Sequence, residues 1–490
     1  MPARGLMIQG TGSDVGKSLI AAALCRIAHR RGIAVAPFKP QNMSNNAAAC
    51  ADGEIGRAQA LQAQAAGLEP QTDFNPVLLK PESDRRAQVV VQGRIADSMS
   101  AADYMARRDL RMGAVLDSFQ RLVNTYDLII VEGAGSPAEV NLRAGDIANM
   151  GFARRVSLPV CLVGDIDKGG VIASLVGTQA VLDREDAALV CGFLINKFRG
   201  DPRLFDDGLA AIESRTGWRN FGVVPWLQCA AELPAEDAVV LDRNRHEAGT
   251  GLRVVAPMLS RMANFDDADP LRMEPSVDFR WVPPGRALPR NADVVILFGT
   301  KSTLGELAFI RSQGWDHDIL AHARAGGRVL GLCGGFQMLG RSITDDAGAD
   351  GPAGRVDGLG LLDVRTDMSS AKTVGAVQGR CLRSRLPVSG YEIHVGRTTG
   401  ADCARPLFDL GYRTDGARSA DGLVEGSYLH GMFTHDEFRR AWLRQAGAEA
   451  GSTLQYDAAV EAALEALADG VEEALDIDRL LACAAMPSGP

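Results

Sequence analysis

The sequence contains no Cys-x-x-Cys pair. Its nine cysteines, an odd number scattered through apolar stretches, offer neither a disulfide framework nor a zinc or redox motif, and reduced thiols are the expected state. No apolar run approaches the roughly 18 residues of a membrane span. Met1-Pro2-Ala3-Arg4 passes directly into the strand-like Gly5-Leu6-Met7-Ile8-Gln9, which leaves no room for a secretory signal, so a cytoplasmic location without a membrane partner is expected. A basic block is missing as well. With 52 Lys and Arg against 61 Asp and Glu the formal charge is -9, and wholesale nucleic-acid binding, which needs a basic face to release counterions, is not expected. Histidine is scarce, at seven residues, so few side chains can serve as a general base near neutral pH.

What is present is enough chain for more than one core: 490 residues, 46% hydrophobic and 23% charged. In the first half short apolar runs (Leu6-Gln9, Ala34-Phe38, Leu128-Glu132, Pro159-Gly164, Leu189-Asn196, Gly222-Pro225) alternate with helix-like stretches (Lys17-Arg31, Asp109-Thr125, Gly170-Leu182, Arg203-Thr216). Continuous apolar strands separated by helices predict a doubly wound parallel sheet covered on both faces. Periodicity lapses between residues 229 and 250, read as a linker, and a second α/β alternation follows over 251–445. Residues 446–490, rich in Ala, Leu and Glu at helical spacing, read as a helical appendage without chemistry of its own. The expected organisation is thus an N-terminal P-loop domain over 1–228, the linker, and a C-terminal α/β domain followed by the appendage.

Two reactive centres stand out. Gly10-Thr11-Gly12-Ser13-Asp14-Val15-Gly16-Lys17-Ser18 lies between a predicted strand and a predicted helix, the setting of a phosphate-binding loop. Gly10, Gly12 and Gly16 allow backbone N–H groups to turn toward phosphate oxygens, Lys17 adds a charge near the terminal phosphates, and the Ser18 hydroxyl is placed to hold Mg²⁺. The spacing departs from the strict pattern, with Thr11 where a glycine is usual. Val131-Glu132-Gly133 ends a strand with a carboxylate suited to Mg²⁺, and Ile195-Asn196-Lys197 ends another. The loop resembles that of the dethiobiotin synthetase-like family, whose members phosphorylate a carboxylate or carbamate. The resemblance implies ATP and Mg²⁺ as ligands, with Asn196 reading the adenine base.

The second centre is Gly331-Leu332-Cys333-Gly334-Gly335-Phe336-Gln337, again between a strand and a helix. A cysteine on a sharp turn at a helix N-terminus is biased toward thiolate. Gly334 permits the turn and brings its N–H near a developing oxyanion, and Gly299 in Gly299-Thr300-Lys301-Ser302 is the second expected donor. His430, after the strand-like Leu423-Leu429, is the candidate base, and His394 a candidate support near the thiol. This arrangement resembles the glutaminase site of class I glutamine amidotransferases. Members with a full triad carry a Glu two residues after the His; here Met432 stands there, so the resemblance is to the subgroup that works with Cys and His, and the group that orients His430 is open.

Four long polar runs follow strand ends, where open α/β sheets bind ligands: Pro37-Phe38-Lys39-Pro40-Gln41-Asn42-Met43-Ser44-Asn45-Asn46, Val131 to Leu142, Gly164-Asp165-Ile166-Asp167-Lys168-Gly169-Gly170, and Asn196 to Asp201. With the two centres they make nearly the whole chain resemble the cobyric acid synthase family of glutamine-dependent corrinoid amidases. The resemblance implies ATP-dependent amidation of the b, d, e and g carboxylates of adenosylcobyrinic acid a,c-diamide, with glutamine and the corrinoid acid as small-molecule partners and Lys39, Gln41, Asn42, Asn45 and Asp165 as candidate substrate contacts. Two other readings stand beside it: an amidoligase like the enzyme that amidates the a and c carboxylates, and a nucleotide-switched P-loop binding protein, which has no use for Cys333 and His430.

Overall fold

A computed structural model describes residues 2–82, 86–100, 108–236, 251–350, 353–449 and 451–488. The predicted strands of the first half form one six-stranded, fully parallel sheet in the order Arg219–Pro225, Val190–Phe198, Val160–Asp165, Arg4–Gly10, Leu128–Glu132, Val35–Phe38. Alternate residues serve opposite faces: Leu6 and Ile8 enter one core, Met7 the other, and Leu128 and Ile130 are separated from Ile129 and Val131 in the same way. The helix Lys17–Arg30 covers the first face, and Val115, Phe119 and Leu122 of the helix Arg108–Thr125 cover the second.

The second half builds another six-stranded sheet in the order Leu252–Pro257 beside Val277–Val282 at one edge, then Val294–Leu297, Arg328–Leu332, Val424–Ser427 and the short edge strand Ala417–Arg418. All its pairings are parallel except the last. Both halves are therefore α/β with parallel sheets.

Several elements lie outside the two parallel sheets. Residues 41–100 add a small sheet (Gln41–Met43, Val77–Pro81, Arg86–Val91, Arg94–Ser100) and a hairpin of Ala47–Cys50 with Gly53–Gly56. Arg365–Cys381 and Pro387–Thr399 pair as one long antiparallel hairpin. These additions meet one another: Ala47, Leu78 and Val90 from the first half pack with Ile393 of the long hairpin in a small core of their own. The helix Tyr456–Ala474 returns to the first half, where Val460, Leu464, Leu467 and Val471 join the core under Lys17–Arg30. Arg26 pairs with Glu461 and Glu465 at 2.7 and 3.1 Å, and Arg30 with Asp469 and Glu472 at 2.5 and 2.6 Å. Of the segment read as a linker, residues 237–250 lie outside the described residues; 229–236 are described and do more than connect.

Candidate active sites

The loop after Arg4–Gly10 leads into the helix Lys17–Arg30 through Gly16, whose φ of +97° is a left-handed conformation open to glycine at little cost. A Cβ there would also stand 2.2 Å from Asn196 Nδ2. That amide donates to the Val15 carbonyl at 2.8 Å, so Asn196, at the end of its strand, braces the loop. Lys17 Nζ folds back over the loop to the carbonyls of Gly12 (2.9 Å) and Gly135 (3.1 Å). Burial, reinforced by the nearby Lys39 ammonium and opposed by Glu132, lowers the Lys17 pKa to about 8. Asp165, at the end of Val160–Asp165, is paired with Lys197 at 3.0 Å.

Beside the loop, carboxylates and amides converge. Ser18 Oγ donates to Glu132 Oε1 at 2.7 Å and lies 3.2 Å from Glu236 Oε2. Lys39 Nζ stands between the same two carboxylates, 2.8 Å from Glu132 and 3.3 Å from Glu236. The other oxygen of Glu132 accepts from Gln59 (3.2 Å) and Gln62 (2.6 Å), and Asn42 Nδ2 reaches Glu236 Oε1 at 2.6 Å. Although burial disfavours charge on both partners, Lys39 is held above its ordinary pKa by Glu132 and Glu236, and Glu132 below its own by Lys39. Glu236 was read only as part of a linker. Its backbone is seated by the polar run as well: Ser44 Oγ donates to the Glu236 carbonyl at 3.3 Å and Asn46 Nδ2 to that of Ala235 at 3.1 Å. Nothing local in Leu233-Pro234-Ala235-Glu236 marks it as a site residue; it is one of several acids in an acidic stretch.

In the second half Cys333 sits between the strand Arg328–Leu332 and the helix Gly334–Leu339 at φ +53°, ψ −110°. A non-glycine residue in this region is strained, and the strain turns its side chain out of the strand–helix corner. Its N–H is tied to the Ser427 carbonyl at 2.8 Å, which fixes the corner against the neighbouring strand Val424–Ser427. Gly299 lies alongside: a Cβ on it would come within 3.5 Å of His430 Cε1 and 3.6 Å of Cys333 Cβ. Gly334 opens the helix immediately after the thiol and faces Thr300.

His430 lines the same pocket as Cys333, whose thiol donates to the Ile393 carbonyl at 3.5 Å, and its Nδ1 lies 2.7 Å from Asp267 Oδ2. The other Asp267 oxygen accepts from the Gly431 N–H at 2.6 Å. Burial opposes charge on the imidazole, but Asp267 and the Cys333 contact outweigh it and raise the His430 pKa to about 10. A carboxylate thus holds the histidine even though Met432 occupies the usual triad position. The sequence signal is weak: Asp266 and Asp267 follow Asn264-Phe265 with no motif. The first half holds this segment in place, with Arg57 pairing with Asp266 at 2.7 Å and Asn46 Oδ1 accepting from the Phe265 N–H at 3.2 Å.

Of the residues read as substrate contacts, Lys39 and Asn42 meet at Glu236, Gln41 opens the short strand Gln41–Met43 that carries Asn42, and Asp165 lies across the loop with Lys197. Asn45 is placed elsewhere, in the wall of the pocket that contains Cys333 and His430. His394 lines that pocket too, stacked on Tyr428 at 3.9 Å between ring centres, and burial lowers its pKa to about 4. No helix among the described residues is long and apolar enough to cross a membrane.

Two family models match in tandem: a "CobQ/CobB/MinD/ParA nucleotide binding domain" over residues 6–240 and a "CobB/CobQ-like glutamine amidotransferase domain" over residues 253–438. The chain is 65% identical over 488 residues to the cobyric acid synthase of Hyphomonas neptunium, covering 99% of each chain. It is 62% identical to that of Cereibacter sphaeroides, covering 99% of this chain and 100% of the relative. For the Paracoccus denitrificans protein of the same name the identity is 63%, over 98% of this chain and 99% of the relative.

Proposed function

The chain belongs to the cobyric acid synthase family, and from that premise we propose that it amidates the b, d, e and g carboxylates of adenosylcobyrinic acid a,c-diamide with ammonia drawn from glutamine, giving adenosylcobyric acid. The observation that carries the reading is the presence of both reactive centres in one chain: a phosphate loop facing Glu132 and Lys39, and a Cys333–His430–Asp267 constellation.

A carboxylate oxygen is a poor leaving group; ATP, when bound with Mg²⁺, supplies the phosphoryl group that makes it a good one. Ser18, Glu132 and Glu236 offer a hydroxyl and two carboxylates, the hard oxygen donors Mg²⁺ takes, and the Lys39 ammonium lying between the two acids supports a cation site there. Lys17 is positioned over the loop to neutralise transferring charge, and Lys39 and Asn42 to orient the substrate carboxylate.

At the second centre His430 takes the Cys333 proton, and the thiolate attacks the side-chain amide carbon of glutamine. The oxyanion that forms faces the N–H groups of Gly299 and Gly334. His430 then returns the proton to the departing nitrogen, so ammonia leaves and a thioester remains for water to open to glutamate. Asp267 keeps the imidazole in register and stabilises its charged form. Mass spectrometry of the corrinoid acid after incubation with ATP, Mg²⁺ and glutamine tests the reading: up to four amidations are expected, and unchanged substrate mass would refute it.

A further inference from the structure

The pocket that holds Cys333 and His430 extends to a cluster of charge that the chemistry above does not use. Lys80, Lys301 and Lys372 line it, together with Asp350. Lys80 and Lys372 both pair with Glu54, one on each carboxylate oxygen, and all three side chains are buried. Lys301 donates to Gln88 Oε1 at 3.1 Å. Asp350 accepts from the Thr303 N–H at 2.6 Å.

Two buried lysines share the Glu54 carboxylate, and Lys301 and Asp350 line the same pocket, so three lysines face two acids there. Burial lowers the pKa of both Lys80 and Lys372, Lys301 adding to it at Lys80 and Lys80 and Lys301 at Lys372, with Glu54 opposing in each case. A buried cation surplus is costly unless an anion joins it. The same wall carries polar atoms without a hydrogen-bond partner among the described residues: Asn45 Oδ1 and both ring nitrogens of His394, whose Nε2 stands 3.9 Å from Glu392 Oε1. An unsatisfied polar wall beside a nucleophile marks space for a polar ligand.

Glutamine presents two ends to a glutaminase. Its amide must reach Cys333; its amino-acid end carries a carboxylate and an ammonium. We infer that Lys372, flanked by Lys80 and Lys301, seats the α-carboxylate of glutamine while Asp350 faces its α-ammonium. This rests on the glutaminase reading above. Lys80, Glu54 and Asn45 come from the first half of the chain and Lys301, Lys372 and Asp350 from the second, so the glutamine pocket is complete only where the two halves meet.

The test compares glutamine with 4-aminobutanamide, which keeps the amide and amine but lacks the carboxylate, using full-length enzyme. Wild type should favour glutamine strongly in kcat/KM. Lys372→Met should reduce that preference by about tenfold or more, through glutamine rather than through the analogue, because a charge-assisted contact is lost only where a carboxylate exists. An unchanged preference overturns the inference. So does an unchanged glutamine KM with a raised KM for the corrinoid acid in the ammonium-driven reaction, which would assign the lysines to a substrate carboxylate instead. Ammonium-driven turnover reports whether the variant is folded; if it is not, Lys301→Met, at a partly exposed position, is read by the same ratio. Absence of any glutamine hydrolysis by wild type would sink the glutaminase reading itself, a separate outcome.

Discussion

Asp267 Oδ2 lies 2.7 Å from His430 Nδ1, with both side chains only 2% exposed. The acid comes from a one-turn helix, Phe265–Ala268, that follows Asn264 in a left-handed conformation, 163 residues before the histidine in sequence. A buried carboxylate against an imidazole fixes both the ring plane and the tautomer, the two things a general base must have settled before substrate arrives. The neighbouring Asp266 is anchored by Arg57 from the first half, so the segment that holds His430 is itself held by the other half of the chain.

Replacing Asp267 by Asn should lower glutamine-dependent turnover by about 10²-fold or more, because an amide can present the wrong dipole to Nδ1 and no longer stabilises the imidazolium. Ammonium-driven turnover should stay near wild type. Equal loss in both assays would show that Asp267 acts on folding rather than on His430.

The pH dependence gives that assignment a sign. Asp267 raises the His430 pKa to about 10, so the charged imidazole persists through neutrality. In Asp267→Asn the alkaline limb of glutaminase kcat/KM should move to lower pH. A histidine whose pKa is raised on folding contributes stability that is fully present below its unfolded value of about 6.5 and fades as the pH climbs through the folded value. The melting-temperature gap between wild type and Asp267→Asn should therefore narrow between neutral pH and pH 10; a gap that widens would contradict the charge argument.

The two centres should separate cleanly in single variants. Cys333→Ala should lose glutamine-dependent amidation and keep the reaction with concentrated ammonium salt, since ammonia bypasses only the thiol. Lys17→Ala should lose both, because no nitrogen source replaces the charge over the phosphate loop. Retained glutamine use in the first variant, or normal ammonium turnover in the second, would remove the corresponding residue from its role.

Glu236 belongs with the loop in this respect. Glu236→Ala leaves Lys39 to Glu132 alone and takes away one oxygen donor beside Ser18, so turnover should fall with glutamine and ammonium alike, and Mn²⁺ affinity measured by electron paramagnetic resonance with a non-hydrolysable nucleotide should drop. Wild-type Mn²⁺ affinity in that variant would exclude Glu236 from the metal site.

Much of this arrangement was legible in the sequence. The parallel strands are continuous apolar runs, and the phosphate loop and the cysteine turn carry glycines at positions where backbone geometry needs them, so both reactive loops could be placed from local pattern. Residues 41–100 were not, because their strands are short, mix apolar runs with polar residues and pair with one another only in three dimensions. Asp267 and Glu236 escaped for a related reason. Each acts through a partner more than 160 residues distant, and nothing in its own neighbourhood distinguishes it from an ordinary surface acid. Asn45 shows the converse: the polar run that contains it is recognisable, but the chain between the strands Gln41–Met43 and Ala47–Cys50 carries it from the phosphate site to the thiol pocket.

The helix Tyr456–Ala474 gives the molecule a closed circuit. The chain leaves the first sheet near Pro225, builds the glutaminase half, and comes back to seal the face it left, with Ala485 bridging to Gly5 on the central strand. In topological terms the glutaminase half is an insertion tethered at both ends to one host, rather than a bead on a string. Two tethers remove most of the wide hinge-like excursions open to a singly linked pair, so the reactive nitrogen is generated by a neighbour that cannot wander. Cutting the chain after Glu236 would do more than part the two activities: the apolar side of Lys17–Arg30, the helix that carries the phosphate loop, would face water.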